Sequence, residues 1–225
     1  MRLRTHYPRV RPAPKTAAMI IAVDGPTASG KGTIAAGLAK HYGLKRLDTG
    51  SLYRAVGLAV LDAGGDPGDE AAAVKAAEAL DLGAIDEYRI RSSSAGLAAS
   101  KVAALPAVRE VLRKAQRAFA ADPNGAVLDG RDIGTVICPD ADVKLFVVAD
   151  LPVRAQRRHA ELTARGETIS LAELEAQIAE RDRRDTERKD SPLYKAADAH
   201  ELDTTNLSVA EAVAAAVAIL EKARA

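Results

Sequence analysis

Apolar residues fall along this chain in short unbroken runs that alternate with stretches of helical period. Met19 to Val23 (MIIAV) is unbroken and ends at Asp24-Gly25, as expected of a strand buried on both faces. After a glycine-rich turn, Ile34, Leu38 and Tyr42 recur at helical spacing until Gly43, which suits a helix C-terminus. Leu44 to Leu47 predicts a short second strand, and Leu52 to Leu61 a helix halted by Gly64-Gly65. Val74 to Leu80 has a helical pattern, Tyr88 to Arg91 reads as an isolated strand, and Ser92-Ser93-Ser94 reads as a break. Pro106 opens an amphipathic helix with Val108, Val111, Leu112, Ala115 and Phe119 on one stripe. Ala126 to Asp129, Val143 to Val148 and the short His200 to Asp203 predict three further strands. Ser170-x-x-Glu173 and Ser208-x-x-Glu211 are capping boxes that open two more helices. Strands alternating with helices imply a doubly wound α/β domain, a parallel sheet of about five strands covered on both faces.

Composition narrows the class without changing the fold. A chain of 225 residues, nearly half apolar, suits one such domain, which we expect to occupy 19–225. Residues 1–18 carry Arg2, Arg4, Arg9, Arg11 and Lys15 with three prolines and no acid, and are expected to be a flexible basic leader. Thirty-two basic residues against 31 acidic ones argue against a protein that coats nucleic acid or an anionic membrane, while permitting a local basic cleft. The single cysteine, Cys138, allows no internal disulfide and suits a cytoplasmic location; it reads as a small buried hydrophobe. No apolar run approaches the roughly 20 residues that span a bilayer.

The strongest chemical signal is Gly25-Pro26-Thr27-Ala28-Ser29-Gly30-Lys31-Gly32-Thr33, set between a buried strand and a helix. That is the context of a P-loop, in which backbone N–H groups converge on phosphate oxygens and the helix presents its positive end to the anion. Lys31 adds a charge able to bridge the β- and γ-phosphates of a nucleotide. The generic motif places Ser or Thr, a Mg²⁺ ligand, directly after the lysine. Here Gly32 stands there and Thr33 follows, so Thr33 is a possible metal contact. A Gly-Lys-Gly-Thr ending resembles nucleoside monophosphate kinases more than GTPases or motor ATPases.

Two further segments lie beyond strand ends, where a doubly wound sheet binds ligands: Asp48 to Arg54 (DTGSLYR) and Asp129 to Thr135 (DGRDIGT). Each also has a purely structural reading, as a helix cap and as a turn. A third segment is harder to read that way. On a helix from Ser170, the stripe Leu171, Leu174 and Ile178 continues into Arg181, Asp185 and Arg188 on the same side, within an arc of about 100°. A core-facing side that turns charged points to a cleft. Arg54, Arg131, Arg181 and Arg188, with Arg154, Arg157 and Arg158 as candidates, would hold a second phosphate beside ATP. A phosphate acceptor needs no general base, whereas a hydroxyl acceptor would require Asp48, Asp129 or Asp132 in that role. The surplus of arginine favours the phosphate.

These segments together resemble the bacterial cytidylate kinases from about Ile20 to Leu220. The shared motifs are Asp24 to Thr33, Asp48 to Arg54, Ala99-Ser100-x-Val102-Ala103, Pro106-x-Val108-Arg109, Asp129 to Thr135 and Glu180-Arg181-Asp182-x-Arg184-Asp185. The resemblance implies transfer of the terminal phosphate of ATP, with Mg²⁺, to CMP and also dCMP, by a P-loop kinase fold; we expect a monomer. It implies Lys31, Asp129, Arg131 and Arg181 as catalytic residues, and Ser100, Arg109 and Asp132 around the cytosine. Arg54, Arg131 and Arg181 would hold the acceptor phosphate, and Asp185 and Arg188 the sugar, with Thr49 on the same side. Residues 66–105 would form the acceptor-binding insert and 154–190 a lid, both closing over the substrates. The stretch from Gly64 to Ser100 is shorter than is usual in that family, and Ala28 stands where many members have glycine, a change expected to matter little. The alternatives are a UMP, AMP or other small-molecule P-loop kinase, and a nucleotide sensor without turnover.

Overall fold

The structure, a computed structural model, describes residues 19–224; the expected basic leader lies outside them. Five strands, β1 (Ile20–Asp24), β2 (Lys45–Asp48), β3 (Ala126–Gly130), β4 (Val143–Val148) and β5 (His200–Asp203), form one sheet in the order β2-β3-β1-β4-β5. All neighbours are parallel, as the alternation of strand and helix signals requires. The helices are α1 (Lys31–Tyr42), α2 (Thr49–Asp62), α3 (Glu70–Glu78), α4 (Ser93–Val102), α5 (Pro106–Ala120), α6 (Leu151–Ala164), α7 (Leu171–Glu187) and α8 (Val209–Ala223).

The pleat of β1 divides the core. Ala22 faces a cluster with Leu52, Val56, Leu112 and Leu128 under α2, α3 and α5, while Ile21 and Val23 face Ile34, Leu38, Val127 and Leu220 under α1 and α8. Each fully buried leucine of these layers contributes about 1.5–3 kcal/mol by leaving water. A third, small cluster of Ala155, Leu162, Leu174 and Ile178 joins α6 to α7 and stands apart from the sheet. Cys138 is buried beside the first cluster, and burial pushes its thiol up to about 11, so it behaves as a small hydrophobe. Among the described residues no helix is long and apolar enough to cross a membrane.

Three local expectations are corrected. Arg89–Arg91 is a 3-10 turn and not a strand: Asp86 accepts from the N–H groups of Tyr88 and Arg89, which closes the turn. Ser92 is no break but the N-cap of α4, its hydroxyl accepting from Ala95 N. The Ser170 box is half formed, because Ser170 Oγ accepts from Glu173 N while the Glu173 carboxylate turns to Gln177; Leu171 is exposed, so the buried stripe of α7 starts at Leu174. The Ser208–Glu211 box is complete.

Candidate active site

The glycine-rich loop leaves β1 at the centre of the sheet. Gly25 has φ +153°, and a Cβ there would lie 2.1 Å from the Val147 carbonyl oxygen, so no other residue fits where the loop passes β4. Ala28 has φ +60°, a left-handed conformation that disfavours a side chain, so the substitution expected to matter little carries a local conformational cost. Lys31 Nζ donates to the Pro26 carbonyl at 3.1 Å and lies within the loop it closes. A Cβ at Gly32 would stand 3.2 Å from Arg46 Nη2 and 3.5 Å from Asp129 Oδ2. The ion pair between Arg46 Nε and Asp129 Oδ1, at 2.8 Å, therefore occupies the space into which a serine or threonine after the lysine would project.

Opposite the loop, a cleft of about 260 Å³ is bounded by all three polar segments. Thr27, Ala28, Lys31 and Gly32 line it from the loop, and Thr49, Arg54, Asp129, Arg131 and Asp132 from the ends of β2 and β3. Arg181, Asp185 and Arg188 line it from the end of α7, and Arg109 from α5. Asp48 caps α2 by accepting from Ser51 N and binds Arg54 Nη2 at 2.7 Å, so the capping reading and the cleft reading of that residue both hold. Thr49 Oγ1 donates to the Asp129 carbonyl at 2.8 Å and ties the two acceptor-side segments together. Arg131 reaches back to the loop, with Nε on Asp185 and Nη2 on Thr27 Oγ1, both at 2.8 Å. Arg109 and Asp132 form a buried pair at 2.6 Å, and Arg109 also stands 5.6 Å over the Tyr53 ring.

Charge is deliberately unbalanced here. Eight cationic side chains line the cleft against five carboxylates. Arg54 Nε, Arg181 Nε and Arg188 Nη2 are buried without a hydrogen-bond partner among the described residues, although such donors are ordinarily satisfied. Burial, reinforced by Arg131, pushes Lys31 down to about 7. The same two causes push Arg181 down to about 10. Asp129 is raised by burial and by Asp48, only partly opposed by Arg46 and Lys31. For Asp185, burial alone would raise the carboxyl, but Arg131, Arg181 and Arg188 hold it below its ordinary value. An anion entering between Lys31 and these arginines would relieve each of the cations.

Not every expected residue meets the cleft. Gly25, Pro26, Ser29 and Gly30 frame the loop from behind, and Thr33 is exposed and does not line the cleft. Ser100 is buried with its hydroxyl unpartnered, but it faces a smaller cavity between α4, α6 and α7 rather than Arg109 and Asp132. Arg154 and Arg157 act as braces: Arg154 holds the carbonyls of Ala149 and Thr27 and pairs with Asp182, and Arg157 holds Thr204, whose hydroxyl donates to the Ser29 carbonyl. Only Arg158 of that trio lines the cleft. Sequence reading missed Arg46, whose place on a four-residue strand gave no signal, and it gave Tyr53, although inside the Asp48 to Arg54 segment, no role beside Arg109.

The family described as cytidylate kinase matches residues 21–222. The chain belongs to the cytidylate kinase family. It is 58% identical over 207 residues to the cytidylate kinase of Afipia carboxidovorans, covering 92% of this chain and 99% of that one. The cytidylate kinase of Nitrobacter winogradskyi is 55% identical over 206 residues, covering 92% and 97%. Among solved structures, a gluconokinase from Sinorhizobium meliloti 1021 superposes with a TM-score of 0.51 at 16% identity, over 91% of this chain and 92% of that one. That last likeness is one of fold alone, the P-loop kinase architecture.

Proposed function

We propose that this chain transfers the terminal phosphate of ATP to CMP, giving ADP and CDP, and acts on dCMP as well. The observation that carries the reading is the set of buried, unpartnered guanidinium N–H groups of Arg54, Arg181 and Arg188 across the cleft from Lys31. A nucleotide donor alone would engage the loop and leave these N–H groups without an acceptor; an acceptor that is itself a phosphate would engage both. Arg54, Arg131 and Arg181 would hold the acceptor phosphate, and Lys31 with Arg131 would neutralise charge on the transferred group. The attacking oxygen is already anionic, so no side chain has to remove a proton. Asp129 is then an electrostatic and positioning group for the phosphates and not a base.

The Arg109–Asp132 pair favours cytosine: a carboxylate accepts from an exocyclic amino group and a guanidinium donates to O2 and N3, whereas uracil presents a carbonyl where the amino group would be. Asp185 and Arg188 would meet the sugar, with Thr49 beside them. Among the described residues no group of three His, Cys, Asp or Glu is placed to hold a metal. Mg²⁺ would be held chiefly by the ATP phosphates, with Asp48 and Asp129 as the nearby cleft carboxylates, and it would supply further charge neutralisation. Residues 66–105 and 154–190 are the parts that would close over the substrates, and the small cluster that joins α6 to α7 apart from the sheet supports the latter as a unit.

A coupled assay of the purified chain with ATP and CMP tests this. CDP formation is expected, and its loss in Lys31→Ala. ATP binding by the wild-type chain with no CDP formed would overturn the proposal and favour a sensor.

A further inference from the structure

Asp24, the last residue of β1, is buried, and nothing in the phosphate chemistry above uses it. Its carboxylate points across the sheet edge to the segment that follows β3. Oδ1 accepts from Ile133 N at 2.9 Å and Oδ2 from Gly134 N at 2.8 Å. Those are the first two amides of a single π-helical turn, Ile133–Ile137, whose own N-terminal residue, Asp132, provides no side-chain cap. The turn is otherwise held by its own backbone, with Val136 N and Ile137 N on the Asp132 carbonyl and Cys138 N on the Ile133 carbonyl. Burial pushes the Asp24 carboxyl up to about 6, while the two amides pull against burial, so at pH 8 it is ionised and both bonds are available. Asp24 is one residue before the phosphate loop, and Ile133 is one residue after Asp132. A single carboxylate thus joins the donor loop to the residue that pairs with Arg109.

We propose that Asp24 is a positioning residue for the acceptor: it fixes the turn at Ile133-Gly134 relative to β1, and through that turn it sets where the Asp132 carboxylate meets the acceptor base. This rests on the reading of Asp132 and Arg109 as the base-recognising pair. The role differs from that of Lys31 and the arginines because Asp24 does not line the cleft. Its loss should loosen the base-recognising side while leaving the glycine-rich loop, whose path Gly25 and Val147 determine, in place.

The experiment compares wild type with Asp24→Asn, which is isosteric but cannot accept from both amides, at pH 8, with thermal unfolding followed in parallel. The KM for CMP is expected to rise about tenfold, equivalent to about 1.4 kcal/mol. The KM for ATP should stay within about twofold and kcat within about threefold, a split that a merely weakened fold would not produce. Gly134→Ala is the second variant: its Cβ would lie 3.0 Å from Lys144 Cδ and 3.4 Å from Asp24 Oδ2, which crowds the same turn against the Asp24 carboxylate without altering β1. The same selective rise in KM for CMP is expected there. A KM for CMP unchanged in whichever of the two variants folds, or KM values for ATP and CMP rising in step, overturns the proposal. If wild type itself shows no preference for CMP, the base-recognition reading fails instead, and the two failures are thereby separate.

Discussion

Replacing Arg181 by methionine should cost activity and yet make the protein more stable. Arg181 lines the cleft, donates only to the Gly96 carbonyl at 3.4 Å, and keeps its Nε buried without a partner among the described residues. Burial, with Arg131 adding to it, pushes the guanidinium down to about 10 from an ordinary 12.5. At about 1.4 kcal/mol per tenfold, that corresponds to about 3 kcal/mol held against the charged form. The sign follows directly: a base depressed in the folded state is penalised wherever it is charged, which includes all pH values below about 10. Methionine removes the penalty and keeps the apolar stem, while the long bond to Gly96 is worth about 1 kcal/mol at most. A net gain near 2 kcal/mol, at about 2–4 °C per kcal/mol for a chain of this size, raises Tm by about 4–8 °C. Two charge-assisted bonds to the phosphates, at about 1.5–3 kcal/mol each, are lost, so kcat/KM falls by about 10²–10⁴. Scanning calorimetry at pH 7.5 and the coupled assay read the two effects. A fall in Tm would refute the claim that Arg181 is held at the expense of stability, and activity within tenfold of wild type would refute its place on the phosphates.

Further outcomes follow from the same geometry. Ala28→Gly should raise stability by about 0.5–1 kcal/mol, because glycine occupies φ +60° without steric cost; a lower Tm would count against this. Lys31, held near 7 by burial, should take up a proton when ATP binds at pH 8, seen as a binding enthalpy that varies with the buffer's ionisation enthalpy; Lys31→Met should abolish that dependence. Asp132→Asn should cut the preference for CMP over UMP by about 1–3 kcal/mol in relative kcat/KM, and an unchanged ratio would remove Asp132 from base recognition.

Most of the fold could be read from the chain because its signals were local. Runs rich in apolar residues marked β1, β3 and β4, the alternation of strand and helix placed the shorter and more polar β2 and β5, and Gly43, Pro106 and Ser208 marked helix ends by chemistry that neighbouring residues do not override. The reading failed where a distant or weak partner decided the outcome. Tyr88 to Arg91 has β-favouring residues, but Asp86 closes a turn there and Arg89 pairs with Asp62 on α2. Helix α4 hides behind three serines and Gly96, all poor helix formers, and is held by packing Ala95, Ala98 and Ala99 against α2. In the site, the arginine face of α7 was legible because Leu174, Ile178, Arg181 and Asp185 share one periodicity. Arg46 and Asp24 were not, since their partners, Asp129 and the amides of Ile133 and Gly134, lie some 80 to 110 residues away in sequence. The same is true of Ser100, whose motif gave no sign that it would face the cavity under α7.

The central claim is that the acceptor is a cytidine monophosphate held by the arginines and by the Arg109–Asp132 pair. Initial rates with ATP and each of CMP, dCMP, UMP and AMP as acceptor test it most directly. The highest kcat/KM is expected for CMP, with dCMP also used and UMP and AMP each lower by at least tenfold, the smallest ratio expected from one mismatched hydrogen-bonding edge at about 1.4 kcal/mol. A kcat/KM for UMP or AMP equal to or above that for CMP would contradict it.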